Sequence, residues 1–426
     1  MEPSIRIPRC YDSHLHLLGT GEACHRVDLA EVQSWADVFL RLGELTPNQQ
    51  NWLVAYGLPP FFKDQNPLQI SQFPKSLNSI PVLILGQDSH SGVINGCAAR
   101  EIGAPQPGWI GDRELTTIWP QIAISDPASI RQNLILAQEK LNSNGFTHVR
   151  DMSTSFSQWN EMVRLDLAGE WSLFVESYFI ADSLPALAEL LPRVLDLSQG
   201  KGSEQAPHLK AMGIKFFLDG ALGSEGAHLH ENYCGQSHRG QAHWNAPDFR
   251  LAIQDCWKAG LEIAVHAIGD AAADLAVETV AEVLAQKGPR GLFHLEHGEL
   301  MQPGTIERLM SLPVQVHQQP SHFLSDQTWA REKLGKRVEN LFPWRKLERA
   351  EVPFYFGSDS PVATANLALT QQGLNQAADF GIPNLKGPWW HHHSHPNPKW
   401  GENSWTEYNS QTGAVEACVF EGRSLL

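Results

Sequence analysis

Positive charge is in short supply in this chain. Its 32 Lys and Arg face 47 Asp and Glu, a formal net charge of −15 over 426 residues. Contacts to phosphate need clustered cations, and no basic stripe is present, so nucleic acid and anionic membrane are excluded as main partners. Long apolar runs are missing too. None approaches the roughly 20 residues that a membrane-crossing helix requires. Cysteine is sparse and scattered: Cys10, Cys24, Cys97, Cys234, Cys256 and Cys418 contain no CxxC pair, which speaks for reduced thiols. The opening MEPSIRIPRC lacks the apolar segment of a secretory signal, so a soluble, cytoplasmic protein is expected.

What is present is the composition of a globular enzyme, with 42% hydrophobic residues, 19% charged, and 34 Gly and 27 Pro dispersed along the chain. The length suits a closed α/β barrel of about 250 residues plus insertions. Eight β-rich runs occur, at 5–16, 146–151, 172–179, 213–219, 261–267, 291–297, 313–318 and 353–359. Between them lie stretches of helical periodicity at 127–144, 156–170, 184–197, 248–259, 271–287, 304–310 and 337–350. This alternation predicts an α/β fold, a (β/α)8 TIM barrel. The first strand falls within 1–16, and residues 17–126 form an insertion over the barrel mouth, too long to be a plain loop. The rest of the barrel spans 127–365, and 366–426 is a C-terminal extension with a helix at 367–380 and a strand at 415–420.

The chemistry begins at Asp12-Ser13-His14-Leu15-His16, which ends the first run. Side chains two apart on a strand share a face, so His14 and His16 can meet one metal ion. With 19 His in the chain, about one such pair arises by chance, and His228/His230, His391/His393 and His393/His395 repeat the spacing. The first pair differs in its place at the carboxyl end of a buried strand. His266, His297 and Asp359 close three other strands, and a barrel delivers every strand's C-terminal residue to the same face. Any one of these imidazoles alone reads equally as a buried side chain bonded to backbone; the group of four with a carboxylate reads as a metal centre. Lys215 lies inside the apolar run Gly-Ile-Lys-Phe-Phe-Leu-Asp, where an unpaired ammonium is costly. It is either paired with Asp219 or a metal-bridging residue.

The ordered series DSHLHL, GIKFFLDGALGS, AVHAIGD, HLEHGE and FGSDSPV, from about residue 10 to 365, resembles the amidohydrolase superfamily, in particular the family 3 branch that includes N-substituted formamide deformylase-like proteins. The resemblance extends to the insertion, where residues 81–84 and the segment from Gln87, Asp88 and His90 to Asn95 are similar to a part that approaches the active site. It implies a two-metal centre, zinc first and manganese or iron as alternatives. His14, His16 and Asp359 would hold one ion and His266 and His297 the other, with carboxylated Lys215 between them. Asp359 is the implied proton carrier, while His90, Asp88, Glu225 and His322 are candidate substrate contacts.

The sequence also departs from that family. Few residues precede the first motif, so the family's β-sandwich is expected to be absent or reduced, with 415–420 as a surviving strand, and a homo-oligomer is left open. Glu225 stands where the family usually has arginine, which suggests tolerance of a neutral or cationic substrate group. The tract Trp389-Trp390-His391-His392-His393-Ser394-His395 reads either as a metal site or as a loop packing near the mouth. His148, Asp151 and His317 are also expected near the mouth. The leading expectation is hydrolysis of a C–N bond in a small amide, formamide or cyclic amide. The same centre acting on an ester, lactone or phosphoester is the alternative among enzymes, and a metal-retaining binding protein is the alternative outside them.

Overall fold

The computed structural model describes residues 4–25, 27, 29–45, 47–48, 50–64, 73–87, 89–123, 126–201, 206–287 and 291–426. Its centre is a sheet of eight parallel strands: β1 (Tyr11–Leu15), β2 (His148–Asp151), β3 (Phe174–Ile180), β4 (Leu209–Phe217), β5 (Glu262–Ala267), β6 (Phe293–His297), β7 (Val314–Gln318) and β8 (Phe354–Phe356). Each strand pairs with its neighbour in sequence, so the sheet curls into an (β/α)8 barrel of the expected class. Regular pairing stops at Phe356, three residues short of the predicted strand end. The barrel closes through irregular backbone instead: Asp359 N donates to His14 O and His16 N to Ser360 O, both at 2.7 Å. Gly357 permits this approach, since a Cβ there would lie 2.5 Å from His14 N.

The surrounding helices start where the sequence supplies caps. Asp126, Ser155, Ser183 and Asn245 each accept a backbone N–H at the start of Pro127–Ser143, Phe156–Leu167, Leu184–Ser198 and Ala246–Ala259. Their apolar faces and the outward faces of the strands form one large core. The predicted helix 337–350 is two pieces, a 3-10 segment Gly335–Asn340 and the helix Trp344–Arg349. Pro343 lies between them and cannot continue an α-helical hydrogen-bond ladder. No helix among the described residues is long and apolar enough to cross a membrane.

The run predicted as one strand over 5–16 belongs to two sheets. Arg9 adopts φ 48°, breaking the run, and Ser4–Pro8 leaves the barrel to pair antiparallel with Trp405–Asn409. Val415–Phe420 and Arg423–Ser424 complete a four-stranded sheet built from both ends of the chain.

Residues 17–126 hold more than a covering loop. The helix Leu17–Ala23 packs on Pro127–Ser143 so closely that a Cβ on Gly21 would come within 1.8 Å of Asn133 O. Beyond it, Leu53–Leu58, Val82–Gly86, Ser91–Ile94 and Gly108–Gly111 form a four-stranded sheet. Alternation in Val82-Leu83-Ile84-Leu85 feeds two cores: Val82 and Ile84 pack with Trp35, Val38 and Phe62, while Leu83 and Leu85 pack with Ala98, Leu115 and Ile118.

The His-rich tract lies at the far end of the barrel, and the expectation of a loop near the mouth is corrected. His393 Nδ1 donates to Tyr11 O at 2.8 Å and His392 Nδ1 to Phe354 O at 2.9 Å, at the first residues of β1 and β8. His395 Nε2 bonds Glu176 Oε1 at 3.1 Å. These imidazoles are each satisfied separately, and no metal-holding group among the described residues includes them.

Candidate metal centre

Parallel strands carry their C-terminal residues to one end of the barrel, and five candidate ligands meet there. The rings of His14 and His297 lie 4.6 Å apart, those of His266 and His297 4.5 Å, and those of His14 and His16 5.8 Å. Asp359 Oδ1 stands 3.3 Å from His14 Nε2 and 3.2 Å from His16 Nε2. Its other oxygen, Oδ2, is 3.8 Å from His322 Nε2. Asp359 therefore belongs to two donor groups, one with His14 and His16 and one with His297 and His322. Two of these residues are held in the left-handed region, His297 at φ 68° and Asp359 at φ 59°. Non-glycine residues pay about 1–3 kcal/mol for that conformation, which persists where surrounding structure enforces it, often at functional sites.

The outer nitrogens of the rings are fixed from behind. His14 Nδ1 donates to Glu296 Oε2 at 2.6 Å, His297 Nδ1 to Gln319 Oε1 at 2.9 Å and His322 Nδ1 to Glu299 Oε1 at 3.1 Å, while His16 Nδ1 is bonded to Ser153 Oγ at 2.8 Å. That assignment leaves each Nε2 to face the cluster. His14 Nε2, His266 Nε2, His322 Nε2, Asp359 Oδ1 and Lys215 Nζ are buried with no hydrogen-bond partner. Buried polar atoms without partners cost about 1–3 kcal/mol each. The donor atoms of His14, His16, His297 and His322 gather around Asp359 in two groups, each within 4.8 Å, and this N and O chemistry fits divalent cations of the zinc type.

Protonation agrees with ligation. Burial, reinforced by the neighbouring imidazoles, pushes His266 and His297 well below the ordinary histidine value, leaving them neutral. Burial alone would raise the Asp359 carboxyl, but His14, His16 and His297 outweigh it and hold it well below the carboxylate range. Lys215 is fully buried, and burial brings its amine down to about 8 against the opposing pull of Glu296 and Asp359. The alternative pairing of Lys215 with Asp219 is not formed. Asp219 instead accepts the backbone N–H groups of His228, Ile268 and Gly269 at 2.8, 3.0 and 2.8 Å.

Above the cluster lies a cavity of about 660 Å3 whose lining includes His90, Gln87, Tyr56, Leu222, Trp329 and His322. The insertion thus supplies His90, whose ring is 5.0 Å from that of His266. Asp88 lies outside the described residues. Glu225 lines a separate hollow adjoining at His90, and its carboxylate is held by Lys333 Nζ at 3.2 Å and His238 Nε2 at 3.1 Å.

Two expectations of mouth residues are corrected. His148 starts β2, at the opposite end, and bonds Trp400 O at 3.0 Å. His317 sits inside the barrel against His294, Nε2 to Nδ1 at 3.0 Å. Asp151 ends β2 and accepts the N–H of Leu17 at 3.0 Å, anchoring the start of the insertion. The sequence reading passed over Glu296, Arg150, Ser153, Gln319 and Glu299. The signal was present for Arg150, a long cationic side chain inside a short barrel strand.

A profile described as the amidohydrolase family matches residues 7–375. Among curated proteins, the chain is 26% identical to Protein LONG AFTER FAR-RED 3 of Arabidopsis thaliana over 405 residues, covering 86% of this chain and 67% of that one. It is 28% identical over 384 residues to the amidohydrolase homologue YtcJ of Bacillus subtilis (strain 168), covering 84% and 71%. Among solved structures, an uncharacterized metal-dependent hydrolase from Pyrococcus horikoshii OT3 superposes with a TM-score of 0.70 at 26% identity, covering 92% and 77%. The match of profile to most of the barrel places this chain in the amidohydrolase family.

Proposed function

We propose that this protein is a metal-dependent hydrolase that cleaves a C–N bond of a small amide, formamide or cyclic amide. The observation that carries this reading is the position of Asp359, shared by two groups of imidazoles, each of which holds one buried Nε2 without a partner, that of His14 in the first and of His322 in the second. His14, His16 and Asp359 would hold one divalent ion and His266 and His297 a second. Lys215, carboxylated on its buried amine, would lie between them; a pKa of about 8 leaves part of the amine in the neutral form that reacts with carbon dioxide. His322 lies against Asp359; burial would lower its pKa, but Glu299 and Asp359 outweigh burial and raise it to about 9, so its Nε2 carries a proton instead of a free lone pair. Bound there, divalent ions of the zinc, manganese or iron type supply Lewis acidity and make water nucleophilic near neutral pH.

The chain's own residues supply the rest. Asp359 takes a proton from the attacking water on Oδ2, the oxygen turned away from His14 and His16, and delivers it to the leaving nitrogen. His90 and His322, both lining the cavity, offer N–H groups to the substrate carbonyl oxygen. The motif series favours the formamide-cleaving branch, with the terminal four-stranded sheet as a reduced counterpart of the family's sandwich. The relatives' names, amidohydrolase and metal-dependent hydrolase, support the same chemistry. Six unpaired cysteines suit a cytoplasmic protein. The partner in this reading is a small-molecule substrate, without nucleic acid or membrane, and a homo-oligomer is compatible with it.

Turnover of N-formyl amines, N-acyl amines and matched esters by zinc- or manganese-loaded protein tests the reading. Amide or formamide turnover is expected, falling at least about 100-fold in Asp359→Asn. Turnover of esters alone would replace the C–N assignment, and inert protein that still binds metal would make it a binding protein.

A further inference from the structure

Barrels of this class are usually filled by branched apolar side chains. Here the space directly beneath the metal cluster holds an ion pair. Arg150 of β2 reaches across the interior to Glu296 of β6, Nη2 to Oε1 at 3.0 Å, and the two side chains are 1% and 0% exposed. A pair this deep gives up the hydration of both charges, and a well-packed apolar pair often serves stability equally well. Stability alone is therefore a weak reason for it.

The pair's other two hydrogen bonds both lead to His14. Glu296 Oε2 accepts the His14 Nδ1 proton at 2.6 Å, and Arg150 Nη1 donates to Ser13 O at 2.9 Å, one residue before it. Arg150 thus grips the backbone ahead of His14 while orienting the carboxylate that grips its ring. The neighbouring ligands have neutral supports: a hydroxyl for His16 and an amide oxygen for His297. His14 alone among these three rests on a charged acceptor, which makes its Nε2 the most electron-rich of the three.

We propose that Glu296, clamped by Arg150, is the positioning residue of this metal centre, fixing the orientation of His14 and raising its strength as a ligand. This rests on the metal-dependent reading above. It also explains why the donor atoms of His294, Glu296 and His317, which lie within 4.8 Å of one another, do not make a further metal site. Both Glu296 oxygens are already engaged, and the guanidinium opposes a cation there.

The test compares wild type with Glu296→Gln and with the double variant Arg150→Met/Glu296→Gln. Zinc affinity by chelator competition, the visible spectrum of the cobalt-loaded protein and thermal unfolding of the chelated protein are measured for each. Glu296→Gln keeps the shape and an acceptor oxygen but loses the charge. It is expected to bind zinc about 10–100-fold more weakly, to shift the cobalt spectrum and to unfold at lower temperature with Arg150 unpaired. The double variant removes the stranded charge, so its unfolding temperature should return toward wild type while zinc affinity stays low. Recovery of both together would reduce the pair to a structural role and overturn the proposal. So would wild-type affinity in Glu296→Gln. If that single variant does not fold, the double variant decides by the same affinity. A wild type that takes up no zinc or cobalt overturns the metal-dependent reading itself, a different result from variants that match a metal-binding wild type.

Discussion

Lys215 stands in a strand with no acceptor for its amine, so in the absence of metal it is a cost to the fold. Replacing it by Met, of similar length and without the charge, should stabilise the chelated protein by about 1–3 kcal/mol while weakening metal retention. Denaturant unfolding of chelated protein, together with metal titration, checks both halves; a destabilised variant with normal metal binding would contradict the assignment. At this scale His14, His16, His266, His297 and Asp359 were legible, because ligand chemistry and position at strand ends point the same way. The left-handed backbone at His297 and Asp359 was not, since nothing but tertiary contact enforces it on these residue types. Glu296 was hidden by its neighbour: next to a candidate ligand, an acid reads as ordinary strand-end polarity. The partners of Glu225 also escaped notice, as Lys333 and His238 are distant in sequence from it.

At the scale of elements, the seam between β1 and the stretch after β8 joins the two halves of the cluster. A methyl group at Gly357 would strike His14 N, so Gly357→Ala should cost about 1–3 kcal/mol and weaken metal binding by displacing His14 and Asp359 together. Unfolding and metal titration of the same preparation check it; loss of stability with intact metal affinity would mean that the seam does not set the site. Before β4, His208 clamps the barrel to the terminal sheet, with Nδ1 on Asp166 Oδ1 at 2.5 Å and Nε2 3.4 Å from Glu421 Oε2. Burial would lower its pKa, but the two carboxylates outweigh burial and raise it. With the folded pKa above the ordinary 6.5, its contribution is fully present below that pH and is lost as pH rises through the raised value. The stability difference between wild type and His208→Gln should therefore shrink with rising pH, measured by unfolding across that range; a constant difference would contradict the charged clamp. Element types were readable from periodicity, and Pro343 is itself a signal for the break within 337–350, but the split at Arg9 was not readable. It follows from where the chain must go next, to a second sheet.

For the whole molecule, the eight-strand order was visible in the sequence because parallel βα units leave few alternatives once eight apolar runs are counted. The insertion's own two cores were not, since its Trp, Pro and Gln content hid the alternation of Val82 to Leu85. A site assembled from β1, β5, β6 and the segment after β8 ties the metal to global stability. Zinc at about 100 times its dissociation constant should stabilise the fold by about 2.7 kcal/mol, seen as a rise in unfolding temperature that a chelator reverses. An unchanged unfolding temperature would place the ion outside the folded core. The most direct measurement is the metal content per chain, by elemental analysis of protein reconstituted with zinc or manganese and then freed of loosely held ions. About two ions per chain are expected for the wild type, and fewer for Asp359→Asn. Less than one ion per wild-type chain would contradict a metal-dependent hydrolase.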